Sequence, residues 1–547
     1  MGNHAPLRRG NSQGCGAPII IAAHCSMGFG DFPGKFFHNA AYNKLAYDCN
    51  MSCQRHNLTP SGNLMTEQKN IEAVLDLLET RYSTSVTALR DALADYSEKG
   101  IRPDPAKRDD GIFAYPELRI EYDPEIPPPT PDRAFARLNQ PGIYTASIAR
   151  PALFRDYLRE QLEHLIRDYP VKISVGTSAS EIPYPYVLDG SDLDLEGIST
   201  AELSRWFPST DLVHIGDEVA DGAWDVALDP TRPLALFDAL RTDFSLARLK
   251  HYTGTPTEHF QRFVLFTNYV RYVDQFVRFA IAALRDPDSR FTSLSVPGGS
   301  FEHGDLADAE EQIAAGAWRR HQMPAYHLIT HDGDGITLVN IGVGPSNAKT
   351  ICDHIAVLRP EAWLMIGHCG GLRPSQTIGD YVLAHAYLRD DHVLDDVLPV
   401  EIPIPAIAEV QTALYNAALT VTGEDEDSVK KRLRTGTVVT TDDRNWELRY
   451  TLSALRFNQS RAVAIDMESA TVAAQGYRFR VPYGTLLCVS DKPIHGELKL
   501  PGQANAFYER AISQHLRIGI ETLDILRNEG DGLHSRKLRS FDEPPLR

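Results

Sequence analysis

The C-terminal part of the chain alternates between short apolar runs and amphipathic stretches. The apolar runs have the length of buried strands, and the stretches between them repeat apolar residues at the spacing of a helix face. Strands that are apolar on both faces and separated by helices predict a three-layer α/β/α domain built on a largely parallel sheet. The predicted strands are residues 335–341, 362–366, 381–387, 435–440, 461–465 and 483–489, and the predicted helices are residues 348–358, 468–477 and 506–527.

The N-terminal half has a different pattern. An amphipathic helix is predicted over residues 67–96, and a proline cluster at residues 124–131 marks a surface loop. Glycines at residues 298–299 and an acidic stretch at residues 305–311 precede the alternating region, which places a domain boundary near residue 320. We therefore predict an α+β domain over residues 65–320, followed by the α/β domain over residues 321–547.

Residues 1–64 show neither helical nor strand periodicity. We predict that they are a dispensable extension, translated from upstream of the true start. Cys49 and Cys53, with His24 and His56 nearby, offer a metal site as an alternative. No second pair of ligands supports that alternative, so no metal is expected.

Composition and charge narrow the class of protein. A chain of 547 residues exceeds the roughly 250–300 residues that one core organises, which favours at least two domains. The formal charge of −18 disfavours nucleic acid as a partner, because a phosphate backbone is bound by clustered Lys and Arg. No apolar run approaches the ~20 residues that span a bilayer, and residues 17–23 are short for an export signal. Seven cysteines in so long a chain form no disulfide framework, which favours the cytoplasm.

Two of the predicted strands end in glycine turns. These turns matter because ligands of such sheets bind beyond the carboxyl ends of the strands. The two turns contain Gly342, Val343, Gly344, His368, Cys369 and Gly370. Their backbones can approach a ligand closely, although a plain tight turn explains the first of them as well. A nucleophilic Cys369 with His368 as its base is disfavoured, because adjacent residues of an extended chain point to opposite sides.

Carboxylates follow the last two strands. Asp466 and Glu468 come directly after residues 461–465, and Asp491 follows residues 483–489. Asp466 is explained as a helix cap. Glu468 at a strand end suits a bidentate grip on vicinal sugar hydroxyls, with capping as its alternative. Asp491 is interpreted as a general acid, with a turn-forming role as its alternative.

These spacings, in this order, resemble the purine nucleoside phosphorylase and nucleosidase superfamily, and within it the AMP nucleosidases. The resemblance extends from Met65 to Arg547 and includes segments that ordinary phosphorylases lack, at residues 182–186, 251–255, 266–269 and 271–274. It implies hydrolysis of AMP to adenine and ribose 5-phosphate in purine salvage. It also implies an N-terminal regulatory domain, activation by ATP, inhibition by phosphate, no cofactor, and a cytoplasmic homohexamer.

The resemblance also assigns roles to single residues. An aspartate at the position of Asp491 gives a proton to N7 of adenine, while Glu468 holds the 2′ and 3′ hydroxyls and Met467 packs on the sugar. An ordinary aspartate, with a pKa of about 3.9, is protonated only about one part in a thousand at pH 7, so the site must compensate. Trp446 is expected to cover the purine ring, although a buried core tryptophan is an equal alternative. The residues of the two glycine turns are expected to line the substrate.

One departure from the phosphorylases bears on the reaction. Met365 and His368 occupy the positions at which those enzymes carry an Arg and a Ser that bind phosphate. Without charge-assisted contacts of ~1.5–3 kcal/mol each, water becomes the attacking group. His368 is available to position that water, but no base is assigned. A purine nucleoside phosphorylase and a catalytically silent adenine-nucleotide sensor remain as alternative functions.

The 5′-phosphate of AMP requires its own cationic site. The expected ligands, from the N-terminal domain or a neighbouring subunit, are Arg271, Tyr269, Thr253 and Thr255. Arg444 competes with Arg271 for this role, and a surface position explains either arginine equally well.

Overall fold

The computed structural model describes residues 61–125, 135–189, 193, 195–225, 231–304, 306–497, 505–534 and 536–547. The helices are α1 Ser61–Lys99, α2 Pro105–Asp109, α3 Arg155–Asp168, α4 Thr200–Trp206, α5 Ala239–Thr253, α6 Val270–Arg285, α7 Ala309–Ala315, α8 Pro345–Ile355, α9 Ala408–Thr422, α10 Glu426–Arg432, α11 Tyr450–Ser460, α12 Ser469–Phe479 and α13 Asn505–Glu529. The strands are β1 Ala114–Tyr122, β2 Gly142–Ser147, β3 Val171–Glu181, β4 Arg232–Pro233, β5 Phe263–Thr267, β6 Ser293–Val296, β7 Gly299–Glu302, β8 Ala325–Ile329, β9 Ile336–Asn340, β10 Ala362–Gly371, β11 Tyr381–Asp390, β12 Leu433–Thr441, β13 Ala464–Asp466 and β14 Tyr483–Asp491.

A four-stranded sheet with the order β3-β1-β2-β4 forms the N-terminal part of the fold. On β1, buried Leu118, Ile120 and Tyr122 alternate with exposed Arg119 and Glu121, as expected for a strand with one covered face. The apolar stripes of α1 and α3 pack against the buried side chains. The amphipathic helix predicted at residues 67–96 is therefore confirmed, and it extends over the whole of α1.

A ten-stranded sheet, ordered β13-β12-β11-β14-β10-β5-β9-β8-β6-β7, carries the rest of the fold. Its central strands β14, β10, β5 and β9 run parallel to one another and are almost wholly buried. Strand β11 pairs with β14 in the antiparallel sense, and β8 pairs with β9 in the same sense. The sheet is therefore mixed, whereas the sequence predicted a largely parallel one. Apolar runs reveal that strands are buried, but they do not reveal the direction in which each strand enters the sheet.

Helices cover both faces of this sheet. On β10, Trp363 lies beside Gly476 of α12, whereas Ile366 lies beside Gly519 of α13. Residues at odd and even positions of a strand point to opposite faces. The arrangement confirms the predicted three-layer α/β/α class, and all six strands and three helices predicted from the C-terminal pattern are present, with ends shifted by a few residues.

The large sheet is not confined to residues 321–547. Strand β5 pairs with β10 on one side and β9 on the other, and β6 and β7 form a hairpin next to β8. All three strands precede residue 320, where the pattern placed the boundary. The buried run of β5 is only five residues long, so the apolar pattern does not distinguish it from the helical sequence around it.

Two of the features predicted from the sequence lie wholly or mostly outside the described residues. The cysteine and histidine pairs near residues 24–56 and most of the proline cluster lie outside the described residues. Within the described ranges, no group of three or more His, Cys, Asp or Glu side chains is arranged to hold a metal ion. None of the described helices has the length and apolar character needed to cross a bilayer.

Candidate functional site

Glu468 is a fully buried carboxylate between the end of β13 and the start of α12. Its Oε1 accepts a hydrogen bond from the backbone N–H of Gly344 at 2.6 Å, and its Oε2 accepts one from the side-chain amide of Asn268 at 2.7 Å. Each carboxylate oxygen has a further acceptor position beyond these bonds. The two donors therefore fix the orientation of the Glu468 carboxylate.

Asp466 serves the helix that follows it. One oxygen accepts from the Thr440 hydroxyl at 2.6 Å, and the other accepts from the backbone N–H of Ser469 at 3.0 Å and from the Ser469 hydroxyl. A carboxylate at this place satisfies a free N–H of the first turn of α12. This geometry agrees with the capping role expected for Asp466, and Glu468 makes no such cap.

The charge state of Glu468 is set by its surroundings. Burial raises the pKa of Glu468 above its ordinary value, and the nearby Asp466 raises it further. The donated hydrogen bonds from Gly344 and Asn268 oppose this shift without cancelling it. Burial is the larger of the two causes, because it removes the carboxylate from water, and the second buried carboxyl adds to it by repulsion.

Asp491 is the last residue of β14, and a β-bulge determines where it lies. Cys369 of β10 pairs with Val489, but the next residue, Gly370, pairs with Asp491, so Ser490 is the extra residue. The Ser490 hydroxyl donates to Oδ1 of Asp491 at 2.6 Å. Bulges redirect the side chains that follow them, and Asp491, which follows this bulge, is half-buried.

Gly370 brings the two carboxylate segments together. It pairs with Asp491 on one side and with Ile465 on the other, and a Cβ at Gly370 would lie 3.2 Å from Ile465 and 3.6 Å from Pro493. Neighbouring strands lie about 4.8 Å apart, so the backbones of Asp491 and Ile465 are roughly 10 Å apart across β10. Asp491 and the segment that leads into Glu468 thus flank one glycine.

Cys369 directly precedes Gly370 on β10 but is not suited to nucleophilic chemistry. Its side chain is buried, and burial raises the pKa of the thiol well above its ordinary value. The charges of Cys488, Asp466 and Asp491 raise this pKa further. A thiol that stays protonated is a poor nucleophile, which agrees with the structural role expected for Cys369.

The turn after β9 holds Glu468 in place. Gly342 and Gly344 both have positive φ angles, of 68° and 121°, which a glycine adopts without strain. Gly344 donates to Glu468 and immediately precedes α8. Val343 between them is exposed. The structure shows Glu468 as the group that the backbone of this turn binds, and the expected contact of Gly342, Val343 and Gly344 with the substrate stays a prediction.

His368 lies next to the start of α6. Its ring centroid is 5.0 Å from that of Tyr269 and 5.4 Å from that of Tyr272, and the Tyr272 hydroxyl contacts Nδ1 of His515 at 2.6 Å. His368 is mostly buried, and Met365 is fully buried in the core. Met365, which the resemblance aligns with a cationic phosphate ligand of the phosphorylases, is therefore an apolar core residue.

Met467 and Trp446 are placed differently with respect to Glu468. Met467 is half-buried between Asp466 and Glu468, and its role toward the sugar stays a prediction. Trp446 belongs to a small apolar cluster beyond β12, where its ring meets Phe457 edge-on at 5.2 Å. Its packing matches the core alternative, and its role toward a purine stays a prediction.

The expected phosphate ligands do not lie together. Thr253 and Thr255 are fully buried and contact each other at 3.1 Å; Thr253 donates to the carbonyl of Leu249, and Thr255 contacts His327. His327 also contacts Thr337 near the start of β9. Thr253 and Thr255 therefore lie near the ends at which the parallel strands begin. The expectation that they join Tyr269 at one site within a chain is thereby corrected.

Tyr269 and Arg271 lie at the other edge. Tyr269 directly precedes α6 and Arg271 is its second residue; both are half-buried. Arg444 lies in the loop after β12 and is exposed. Arg271 therefore lies in the first turn of a helix that starts next to Asn268 and His368, whereas Arg444 lies in a different loop.

Asn268 is the site residue that the sequence did not single out. Asn268 directly follows β5 and donates to Glu468. It belongs to residues 266–269, which carry the resemblance to the AMP nucleosidases, but the sequence assigns it no role of its own. A Cβ on Gly367 would lie 2.9 Å from Oδ1 of Asn268, so that glycine makes room for the amide. The rule that functional residues follow strands would have found Asn268 if β5 had been recognised as a strand of the sheet.

Two family models match the chain and define its class. One, described as "Bacterial AMP nucleoside phosphorylase N-terminus", matches residues 73–230, and the other, described as "Phosphorylase superfamily", matches residues 301–524. The chain thus carries a phosphorylase-superfamily α/β domain preceded by a domain known from bacterial AMP nucleoside phosphorylases.

Individual relatives narrow this class further. An AMP nucleosidase from Escherichia coli (strain K12) is 65% identical over 475 residues, which cover 86% of this chain and 97% of that protein. The chain therefore belongs to the AMP nucleosidase family. A guanosine phosphorylase from Halorubrum lacusprofundi is 27% identical over 225 residues, covering 40% of this chain and 86% of that protein. The crystal structure of AMP nucleosidase from Bacteroides thetaiotaomicron overlaps with a TM-score of 0.39 at 27% identity, covering 53% of this chain and 98% of that chain.

Proposed function

We propose that this chain hydrolyses the N-glycosidic bond of AMP and releases adenine and ribose 5-phosphate. The observation that carries the proposal is the pair of carboxylate segments on either side of Gly370, with Glu468 held by Gly344 and Asn268. Membership of the AMP nucleosidase family supports AMP as the substrate.

Glu468 binds the ribose in this proposal. Its two remaining acceptor positions receive the 2′ and 3′ hydroxyls, and Met467 packs against the sugar. The charge of Glu468 matters because hydrogen bonds to a carboxylate are stronger than those to a neutral group. The negative charge also favours an oxocarbenium-like sugar as the bond to the base breaks.

Asp491 acts as the general acid. As the glycosidic bond lengthens, electrons move onto the purine and N7 becomes basic. The Asp491 carboxyl gives its proton to N7, and its other oxygen accepts from the 6-amino group, which selects adenine. The Ser490 hydroxyl, which donates to Asp491, holds the carboxyl in position for this transfer.

Water is the group that attacks the sugar. A phosphate nucleophile would require cationic ligands at the positions of Met365 and His368, and here both of these residues are buried in β10. His368 is the side chain available to position the water. Arg271, with Tyr269, is our choice for the 5′-phosphate ligand, and Arg444 is the alternative.

Regulation and assembly are proposed on family membership alone. We infer activation by ATP and inhibition by phosphate through the N-terminal domain, a homohexamer, and a cytoplasmic role in purine salvage. A purine nucleoside phosphorylase is the second candidate, because the α/β domain matches the phosphorylase superfamily.

The test is adenine release from AMP by the full chain, with and without ATP and with and without phosphate. The expected products are adenine and ribose 5-phosphate in every case, and a ribose 1-phosphate species formed only with phosphate would identify a phosphorylase instead. In Asp491→Asn, kcat should fall by about 10²–10⁴-fold with little change in AMP binding.

A matched control is Asp334→Asn. Asp334 lies in the turn before β9, at the opposite edge of the sheet, where it pairs with Arg262 at 2.7 Å. Its variant should keep the full rate. Tight AMP binding by the wild-type chain without any adenine release would instead identify a nucleotide sensor and refute the enzyme.

A further inference from the structure

A cluster of buried and half-buried charged and polar side chains joins the far ends of two helices that start at the candidate site. We call it the clasp, and it consists of Asp217, Asp221, Asp353, Gln475 and Arg478. Asp353 is on α8, Gln475 and Arg478 are on α12, and the other two aspartates precede α5. None of these residues has a part in the reaction proposed above.

Arg478 is the centre of the clasp. Its guanidinium donates to Asp353 at 3.1 Å, to Asp217 at 2.9 Å and to both oxygens of Asp221, one of them at 3.1 Å. The side chain is only 6% exposed. An arginine that serves three carboxylates from separate segments uses its rigid fork to fix their relative positions.

Asp353 ties the two helices together directly. One oxygen accepts from both Gln475 at 2.6 Å and Arg478, while the other accepts from Lys349 of its own helix at 2.8 Å. Gln475 also donates to the backbone carbonyl of Lys349 at 3.2 Å. Helix α12 is therefore bound to α8 by side chains of both helices at its C-terminal end.

The same two helices are bound to each other at the site. The N–H of Gly344, just before α8, donates to Glu468, just before α12, at 2.6 Å. At a rise of about 1.5 Å per residue, the clasp lies roughly 15 Å from this bond along either helix. A small slide of α12 along α8 would break the Gly344 bond and move the carboxylate that holds the ribose.

The segment that contains Asp217 and Asp221 is bound on its other side as well. Arg241 of α5 donates to Asp217 at 2.7 Å and to the carbonyl of Asp353 at 3.0 Å. Burial alone would raise the pKa of Asp217, but Arg241 and Arg478 lower it below its ordinary value. The clasp thus links an aspartate of the N-terminal half to both helices that reach the site.

We propose that Arg478 is a positioning residue that holds α12 in register with α8 and so sets how well Glu468 binds the ribose hydroxyls. The proposal rests on the function proposed above. It predicts that losing the clasp impairs the recognition of the hydroxyls more than the chemistry on the base.

The test compares AMP with 2′-deoxy-AMP, which lacks one of the two hydroxyls. In Arg478→Met, kcat/KM for AMP should fall by about tenfold to a hundredfold, the range expected when a positioned group is displaced by up to 1 Å. For 2′-deoxy-AMP the decrease should be several-fold smaller, so the preference for AMP narrows. Arg108→Met is the matched control, since Arg108 pairs with Glu181 at 2.6 Å beside the four-stranded sheet and donates to the carbonyl of Trp206. The preference for AMP should not change in that variant.

Equal losses for the two nucleotides, or none for either, would overturn the positioning role while leaving the hydrolase intact. A wild-type chain that cleaves neither nucleotide would count against the proposed function and, with it, this inference. If Arg478→Met does not fold, Asp353→Asn keeps the shape of the clasp and removes one charge. It should narrow the preference in the same direction, and an unchanged preference would refute the proposal as well.

Discussion

At the scale of single residues, Glu468 is the side chain on which the site depends most. A buried carboxylate is costly unless it is paired with donors, and here two donors come from segments far apart in the chain. Both of these donors are uncharged, and the pKa of Glu468 is raised by burial and by Asp466. The fold therefore carries an electrostatic penalty at the position where, on our proposal, the ribose hydroxyls bind.

This penalty predicts a pH-dependent effect of Glu468→Gln on stability. In the unfolded chain a glutamate titrates near pH 4.3. In the folded protein the pKa is higher, so stability is greatest below that pH and decreases as the pH rises through the folded pKa. Glutamine has no charge and avoids this loss. The midpoint of thermal unfolding without ligand, measured from pH 5 to pH 9, should rise in the variant relative to wild type as the pH increases, while its AMP affinity and rate decrease.

Glu361 provides a control of the opposite kind. Burial would raise its pKa, but Arg547 and His534 lower the pKa of Glu361 to about 2. Its contribution to stability is complete above pH 4.3 and decreases only as the pH falls toward the folded value. Glu361→Gln should therefore destabilise the protein throughout the range from pH 5 to pH 9, because Arg547 stays charged over all of it. Parallel pH profiles for wild type and Glu468→Gln would refute the explanation given for Glu468.

At the scale of elements, the site is assembled by strand ends and by one irregularity. The sequence predicted that residues following the strands would be functional, and the structure places Gly344 and Glu468 in the segments after β9 and β13. Gly370 and Asp491 instead belong to the ends of β10 and β14 themselves. The sequence did not predict the bulge at Ser490, because an extra residue in a strand changes no apolar pattern. It did not predict the exchange of neighbours along β10 either, where β5 gives way to β13, because pairing between strands depends on tertiary contacts.

The different positions of Arg271 and Thr255 at the two ends of β5 lead to a prediction about the 5′-phosphate. Arg271 lies just beyond the end of β5, whereas Thr255 is fixed near its beginning by a contact with His327 at 2.8 Å. Arg271→Met should therefore raise the KM for AMP by about tenfold or more, through the loss of a charge-assisted bond, and leave any cleavage of adenosine unchanged. Steady-state kinetics with both substrates measures this.

Thr255→Val is the comparison for that measurement. It removes a partner of a buried histidine, so it should lower the unfolding midpoint without changing the KM for AMP. An increase in KM with Thr255→Val and none with Arg271→Met would show that the phosphate binds at the other edge. Equal effects of Arg271→Met on AMP and adenosine would mean that Arg271 only supports the fold.

At the scale of the whole molecule, the class and the family could be predicted from the sequence, and the relatives confirm both. Periodicity was sufficient for the elements of the α/β domain, because buried strands and amphipathic helices have distinct repeats. The boundary near residue 320 was placed by composition, and composition changes at surface segments such as residues 305–311 rather than at the edge of a sheet. Strands β5, β6 and β7 join the sheet from before that segment, and only tertiary pairing reveals it.

The N-terminal residues provide the last prediction. Within α1, the first buried side chains described are Ile71, Val74, Leu75 and Leu78, which pack against the four-stranded sheet. A chain that starts at Met65 keeps all four. We expect it to fold with the same unfolding midpoint and to release adenine from AMP with the same kcat/KM as the full chain. A shortened chain that is well folded but inactive would show that residues 1–64 are required for the reaction.

A deeper truncation sets the scale for this experiment. A chain that starts at Ser83 loses all four apolar side chains, each worth about 1.5–3 kcal/mol when buried, or roughly 6–12 kcal/mol in total. A domain is stable by only about 5–15 kcal/mol, so this loss is of the same size as the whole stability of the N-terminal sheet. The chain from Ser83 should therefore lose cooperative unfolding of that part, as measured by hydrogen exchange of β1. Retention of protected amides on β1 in that chain would show that α1 contributes far less to the core than its buried face indicates.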